Sequence, residues 1–307
     1  MIGERPIRVV FNPRAGRRLP FVGRDVSPRE VEAALAASGI RADIVESRSI
    51  GHARATAAEA VRDGEPVLIA AGGDGTVGAV ASELARSQTV LGILPTGSVM
   101  NIARMLGIPR DIRAAAQVIK TGACRSLDVG VAGDRPFFEA VSVGIVGAVF
   151  RELDRFQEGD RWALLRAVEA GVRYRRSGMR MTLDGRIVET RALLVTVANG
   201  PYAGAAMTVA PDARPGDGRL DVRIFEGHTK ASLLAHFLAI AGGRRAPERG
   251  VRRFRASVVE VEASRPLPVR ADAEDLGTTP VRLEVLPAVV QVLAPARVDG
   301  ASPDASG

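Results

Sequence analysis

The opening 125 residues alternate strand-length apolar runs with stretches of helical spacing, and that alternation restricts the chain more than any other feature. Ile7, Val9, Val10 and Phe11 suit a mostly buried strand, which Asn12-Pro13 and Gly16 close in a polar, basic turn. Residues 28–38 read as a helix, with Pro28 in its first turn and Val31, Ala34, Leu35 and Ser38 on one face. ADIVES, PVLIA and TVLGILP are the next strands; GHARATAAEAVRDG, the run through Leu84, NIARMLG and DIRAAAQVIKTG are the helices that follow them. Strands alternating with helices imply a parallel sheet covered on both faces. Ligands bind such sheets at the carboxyl ends of the strands, so Asn12, Ser47, Gly72–Gly78 and Gly97-Ser98 are expected along one edge.

The third strand runs into AAGGDGTVGAV, residues 70–80, which sets an acid among glycines and a threonine. Glycine is unfavourable in ordered structure unless the backbone turns tightly or something approaches it closely. A sharp strand-to-helix turn with an N-capping acid meets that condition. So does a cradle of bare amides for a phosphorylated ligand, with the carboxylate beside a metal or a reacting hydroxyl.

From SLDVG onward the texture changes. FFEAVSVGIVG, MRMTLDG, RALLVTVANG, RLDVRIF, SVVEVEA, VRLEVLP and VVQVLAP read as short strands separated by turn-rich stretches, a second and largely antiparallel domain. Helices interrupt it around DRWALLRAVEAGVRYRR and KASLLAHFLAIAGG, and the boundary falls near residues 125–128.

The formal charge of +7 is carried almost wholly by arginine, since Lys120 and Lys230 are the only lysines, and it favours an anionic partner such as a nucleotide or an acidic membrane surface. Aromatic residues at 4% argue against stacking platforms for single-stranded nucleic acid, and no nucleic-acid partner is expected. A single cysteine, Cys124, excludes an internal disulfide framework. With no charged-then-apolar leader and no apolar stretch of about 18 residues, the expectation is a cytoplasmic protein without a transmembrane anchor.

VVFNPRAG, SRSIGHA, GGDGTVGAV, GILPTGSVMNIARMLGIP, SLDVG, FFEAVSVG, VANGPYAGAAMTVAPDARPGDGRLDV and ADAE follow one another along nearly the whole chain. In these stretches and their order the chain resembles the diacylglycerol kinase catalytic-domain family, which includes bacterial lipid kinases and sphingosine kinases. GGDGT alone also occurs in NAD kinases; ILPTGSVMNIARMLGIP and PGDGRLDV separate this chain from those. The resemblance implies an α/β fold in two parts: a parallel nucleotide-binding domain over 1–126 and a β-rich, antiparallel lipid-binding domain over 127–297. The last segment is free to pack back on the first domain, and 298–307 form a tail. It implies transfer of the γ-phosphoryl group of ATP, with Mg²⁺, to a lipid hydroxyl such as that of diacylglycerol. Other acceptors (a sphingoid base, phosphatidylglycerol or NAD) and a catalytically inactive nucleotide- or lipid-binding homologue stand as alternatives. The partners it implies are ATP and a lipid at a membrane surface, for a cytoplasmic, peripherally associated enzyme; oligomeric state stays open, a dimer included.

Residue by residue, the resemblance assigns nucleotide contacts to Asn12, Pro13, Arg14, Ala15 and Gly16, to Ser47, to Gly72, Gly73, Asp74, Gly75, Thr76, Val77 and Gly78, and to Gly97 and Ser98. Ser47 stands where the family has a phosphate-contacting threonine and keeps its hydroxyl, while His52 reads as a helix-start residue. Asp74 is implied near Mg²⁺ or the acceptor hydroxyl. Asp272 and Glu274 match the late Asp-Gly-Glu motif, one of them as general base, with Ala273 in place of the glycine. Asp128 is implied as a metal-network acid, and Asp217 as a metal ligand beside the carbonyls of Arg214 and Arg219; a tight Asp-Gly turn is the competing reading there. Ala79, Met100 and Asn101 depart from the family's polar residues. The arginine-flanked 161–176 stretch is either a packed amphipathic helix or an interfacial one, and the arginines of 244–255 suit anionic headgroups or a solvated loop.

Overall fold

A capping box opens the first helix: the Ser27 hydroxyl accepts from Glu30 N and the Glu30 carboxylate accepts from Ser27 N, with Pro28 in the first turn. This helix, α1 (Pro28–Ala37), links the strands β1 (Ile7–Phe11) and β2 (Ala42–Glu46). The alternation continues through α2 (Ile50–Arg62), β3 (Val67–Gly72), α3 (Asp74–Leu84), β4 (Val90–Pro95), α4 (Asn101–Met105) and α5 (Ile112–Thr121). The computed structural model describes residues 5–15, 26–157, 160, 162–244, 248–272 and 274–296; Gly16, Ala273 and the 298–307 tail lie outside them.

The chain divides into two compact units, Met1–Leu127 with Ala288–Gly307, and Asp128–Pro287. The fold is mixed α/β: a parallel sheet with helices in the first unit, antiparallel sheet in the second. In the first unit the parallel strands run in the order β2-β1-β3-β4. Val9, Val10, Phe11, Leu68, Ile69 and Ile93 are buried, as near-continuous apolar strands must be when both faces are covered. Because β1 lies between β2 and β3, the chain reverses its direction of travel across the sheet there. The crevice outside the carboxyl ends of β1 and β3 is therefore the place where sheets of this kind take ligands.

The second unit contains the second half of β5 (Ala123–Ala132), then β6 (Arg135–Phe137), β7 (Ala140–Gly144), α6 (Ile145–Gln157), α7 (Ala163–Arg173), β8 (Ser177–Leu183), β9 (Arg186–Ala192), β10 (Leu194–Ala198), β11 (Tyr202–Ala203) and β12 (Met207–Thr208). It continues through β13 (Leu220–Phe225), α8 (Lys230–Ala241), β14 (Val251–Ala256), β15 (Val258–Ala263), β16 (Pro268–Ala271), β17 (Glu274–Thr278) and the first half of β18 (Val281–Ala294). One antiparallel sheet runs β14-β13-β10-β7-β16-β17, and β15, β8 and β9 join the start of β18 in a second run of antiparallel pairs. Val141, Val195, Val222, Val259 and Leu283 belong to the buried core of this unit.

Several elements differ from the reading of the sequence: Val251–Ala256, in the arginine-rich stretch read as a loop, form β14, and Arg186–Ala192 form β9. FFEAVSVGIVG does not continue as strand: Gly144, at φ 121°, ends β7 and α6 begins at the next residue. VRLEVLP and VVQVLAP are one strand, β18, with Pro287 inside it and Ala288 at φ 56°. Its start pairs antiparallel with β15 and its end pairs parallel with β4. No helix among the described residues is long and apolar enough to cross a membrane.

Candidate active site

Strand ends in the first unit bring the expected nucleotide residues together. Asn12, next after β1, donates from Nδ2 to the Thr76 hydroxyl at 2.8 Å, and its own Oδ1 accepts from Arg14 N at 2.9 Å. The backbone joins the same edge: Asn12 N donates to Ala71 O, Ser47 N to Phe11 O and Thr96 N to Gly72 O. Ser47 is buried and turns its hydroxyl onto Ser49 O at 3.2 Å, while Ser49 caps α2 by accepting from His52 N. His52 in turn accepts from Arg48 N, which suits a helix-start residue. A hollow of about 540 Å³ opens beside these groups, lined by Pro13, Arg14, Ser47, Arg48 and His52 with the end of β2. Ala15 closes the turn after β1 by donating its amide to Asn12 O.

The glycines of the loops fall into two kinds. A Cβ on Gly72 would lie 2.5 Å from the Thr76 Cβ, and one on Gly97 would lie 2.5 Å from the Gly73 Cα and 2.8 Å from the Met100 sulfur. Packing requires these two glycines. Gly73 and Gly75 are different: added Cβ atoms there would meet nothing nearer than 3.6 Å and 3.9 Å, and neither has a positive φ. Neither a positive φ nor packing requires glycine at these two positions. Gly73 is also the N-cap of α3 and supplies no capping side chain, whereas Ser27, Ser49 and Asp111 cap α1, α2 and α5. The positive end of α3 therefore lacks a side-chain cap from its N-cap residue, while Thr76 N donates to Gly73 O at 2.9 Å and the Asp74 amide bonds its own carboxylate. Val77 is buried in α3, and Gly78 accepts from Ser82 Oγ.

Asp74, in the first turn of α3, bonds its own amide and also reaches beyond its own helix. Its Oδ1 accepts from Ile102 N at 2.8 Å, so it holds the start of α4. Burial pushes its pKa up from 3.8, opposed by the backbone amides of Ile102, Asn101 and Met100, with no cationic side chain among the opposing groups. A half-buried carboxylate neutralised only by amides suits a divalent cation delivered with a nucleotide. Met100, the fourth residue of the 97–100 loop, takes φ 62° and is buried against Gly97. Ser98 O accepts from Arg110 at 2.8 Å. Ala79 is buried in α3, so a hydrophobic contact replaces the polar one that the family pattern implies. Thr96, absent from the expected set, has a buried hydroxyl with no hydrogen-bond partner among the described residues; its position just before Gly97 was the available signal.

In the second unit, Asp272 sits at the turn between β16 and β17 with φ 46°. Its Oδ2 accepts from Phe138 N at 2.9 Å, and its Oδ1 accepts from Glu139 N and Ala140 N at 3.0 Å each. These bonds compensate the left-handed backbone, which aspartate tolerates through local hydrogen bonding. Glu274 opens β17 opposite Ala271 and is exposed. Sequence reasoning missed Glu139, a buried acid whose Oε2 accepts from Gly204 N at 2.9 Å, and Asn199, whose Nδ2 donates to Asp128 O and Phe138 O. An acid inside the apolar run FFEAV was the signal for the first.

The residues expected at a metal meet in a different arrangement. Asp128 is buried and its Oδ2 accepts from Gly218 N at 2.7 Å. Asp217 accepts from Arg219 N at 3.1 Å and faces Arg255 at 3.5 Å, while Arg214 O accepts from Gly216 N at 2.8 Å. With Gly218 at φ 69°, these contacts describe a tight Asp-Gly turn anchored on Asp128. No cluster of three or more His, Cys, Asp or Glu among the described residues is arranged to hold a metal. The Asp217 oxygens are engaged by an amide and a guanidinium, a poor fit to a structural cation.

Comparison with known proteins gives matches over both units. Residues 6–132 match the model of the diacylglycerol kinase catalytic domain, and residues 139–294 match that of the YegS C-terminal NAD kinase beta sandwich-like domain. A protein of Pseudomonas aeruginosa (strain UCBPP-PA14) named "Probable lipid kinase YegS-like" is 30% identical over 283 residues, covering 89% of this chain and 92% of the relative. A diacylglycerol kinase of Staphylococcus aureus (strain JH9) is 27% identical over 294 residues, covering 94% and 92%. The crystal structure of a diacylglycerol kinase from Bacillus anthracis str. Sterne superposes with a TM-score of 0.71 at 21% identity, covering 94% of this chain and 96% of that one, and shows the shared fold.

Proposed function

Because the chain belongs to the diacylglycerol kinase catalytic-domain family with the YegS-type C-terminal domain, we propose that it is an ATP-dependent lipid kinase, with diacylglycerol as its first candidate acceptor. The observation that carries the reading is the edge where β1, β3 and β4 end. There Gly73 and Gly75 are bare for no reason of packing, and α3 begins without a capping side chain. Amides in that arrangement suit the phosphates of ATP, while Pro13 and Ser47 border the hollow that suits the rest of the nucleotide. Mg²⁺ arriving with ATP would be held at Asp74, where it would neutralise phosphate charge.

Phosphoryl transfer needs chiefly alignment and charge neutralisation. The lipid hydroxyl oxygen forms the new bond to the γ-phosphorus, the bond to the β–γ bridging oxygen breaks, and ADP leaves with that electron pair. The hydroxyl proton passes to a carboxylate from the Asp272–Glu274 turn. Asp272 also fixes the backbone of Phe138–Ala140, so its loss is read in stability as well as turnover, and Glu274 offers the cleaner test. The enzyme works in the cytoplasm and meets its acceptor at a membrane surface.

The test is incubation of the protein with γ-labelled ATP, Mg²⁺ and a total lipid extract, followed by a panel of diacylglycerol, sphingoid base, phosphatidylglycerol and NAD. Label in a lipid is expected, with Glu274→Gln or Asp272→Asn reducing it by roughly 100-fold or more for whichever acid is the base. Label entering NAD alone overturns the lipid assignment. ATP binding without transfer to any acceptor identifies an inactive homologue.

A further inference from the structure

Helix α7 has three sectors. Ala163 and Ala167 are buried, and Gly171 lies over Val149 of α6, so small residues seat the helix. Arg166, Glu169 and Arg173 make a charged sector, in which Arg166 pairs with Glu152 of α6 and Arg173 with Glu169. The third sector carries the large side chains. Leu164, Leu165, Val168 and Val172 are 48%, 61%, 60% and 67% exposed. An ordinary amphipathic helix buries its large apolar residues; this one buries its alanines and leaves them outside. Helix α8 buries Leu233 and Ile240 but also leaves large apolar side chains outside, with Leu234 and Leu238 more than 60% exposed. The two helices meet at their ends, where the Lys230 ammonium donates to Val172 O and Arg176 donates to His228 O. Arg173, Arg175 and Arg176 are exposed at that junction.

We propose that the exposed faces of α7 and α8 form a docking surface for an anionic bilayer, on which the enzyme reaches its acceptor; this rests on the lipid-kinase reading. Two observations select a bilayer over a second copy of the chain. A cationic collar at the end of an apolar strip complements anionic headgroups, whereas a second copy would bring further positive charge. Trp162, the only tryptophan in the chain, stands 70% exposed at the amino end of α7, the amphipathic side chain suited to the headgroup level. The apolar strip enters the acyl boundary and the arginines remain among the phosphates.

Because Trp162 supplies all the tryptophan emission, the test is fluorescence and co-sedimentation of the full chain with phosphatidylcholine vesicles, with and without phosphatidylglycerol. Binding to the anionic vesicles with a blue shift is expected. Leu165→Glu/Val168→Glu/Val172→Glu should weaken that binding at least about tenfold at unchanged thermal stability, since all three positions are exposed. Arg173→Gln/Arg175→Gln should weaken binding to the anionic vesicles only and reduce its salt dependence. Equal vesicle binding by the triple variant, or a wild-type dimer that the triple variant dissolves in the absence of vesicle binding, overturns the proposal. Turnover of a short-chain, micelle-dispersed diacylglycerol separates it from the reading beneath it. Turnover without vesicle binding defeats the docking surface alone; vesicle binding without turnover of any lipid upholds docking and defeats the kinase reading.

Discussion

Asp74 is a carboxylate kept where its charge is unfavourable. Burial raises its pKa above the ordinary 3.8. For a raised acid, the stability contributed by the protonated form is fully present below 3.8 and is lost as pH rises through the folded value, so at neutral pH the charge weakens the fold. Asp74→Asn keeps an oxygen to accept from Ile102 N and removes that charge. It should therefore be at least as stable as the wild type at pH 7, with the difference vanishing below about pH 4, while transfer falls by roughly 100-fold or more. Denaturant melts across pH, read beside turnover, check this; a variant that loses stability at pH 7 and keeps turnover would make Asp74 a simple helix-start residue. Asp272 shows the opposite economy at the same scale. Its carboxylate accepts from three amides and holds a left-handed turn, so chemistry there is tied to fold.

Between elements, one contact in the proposed cradle is backbone against backbone, with no room for a Cβ on Gly97. Gly97 presses on Gly73, joining the loop after β4 to the loop after β3. Gly97→Ala should destabilise by about 1–3 kcal/mol because the Gly73 Cα cannot yield as a side chain would, whereas Gly73→Ala, at 3.6 Å, should melt like the wild type. Matching denaturation midpoints for the two variants would contradict the packing argument. The parallel strands and their glycine turns were legible because apolar runs and helical spacing report local geometry. Helix α6 was not, since IVGAVF is as β-branched and aromatic as the strand before it; the positive φ of Gly144, which ends β7, leaves no mark in composition. The fusion of two short strands into β18 was hidden behind Pro287, ordinarily a sign of a break. At the site, motif matching named Asn12, Thr76, Gly73 and Gly97. The Asn12–Thr76 bond and the Gly73–Gly97 contact needed coordinates, being tertiary facts.

Across the whole molecule, the chain passes from the first unit to the second at Leu127–Asp128 and returns at Pro287–Ala288. The nucleotide half belongs to the edge of the parallel sheet, and the proton acceptor belongs to the β16–β17 turn. The surplus of positive charge suits both the triphosphate and an acidic membrane. The central claim is that bare amides at Gly73–Gly75 hold the phosphates of ATP. Calorimetric titration of ATP·Mg²⁺ into the wild type and into Gly75→Val tests it most directly. An added Cβ at position 75 would meet only the end of the Ile50 side chain, at 3.9 Å, so the variant should fold with little change in stability. The account predicts saturable binding by the wild type and at least about tenfold weaker binding by the variant. Equal affinity in the two proteins, at equal stability, would contradict it.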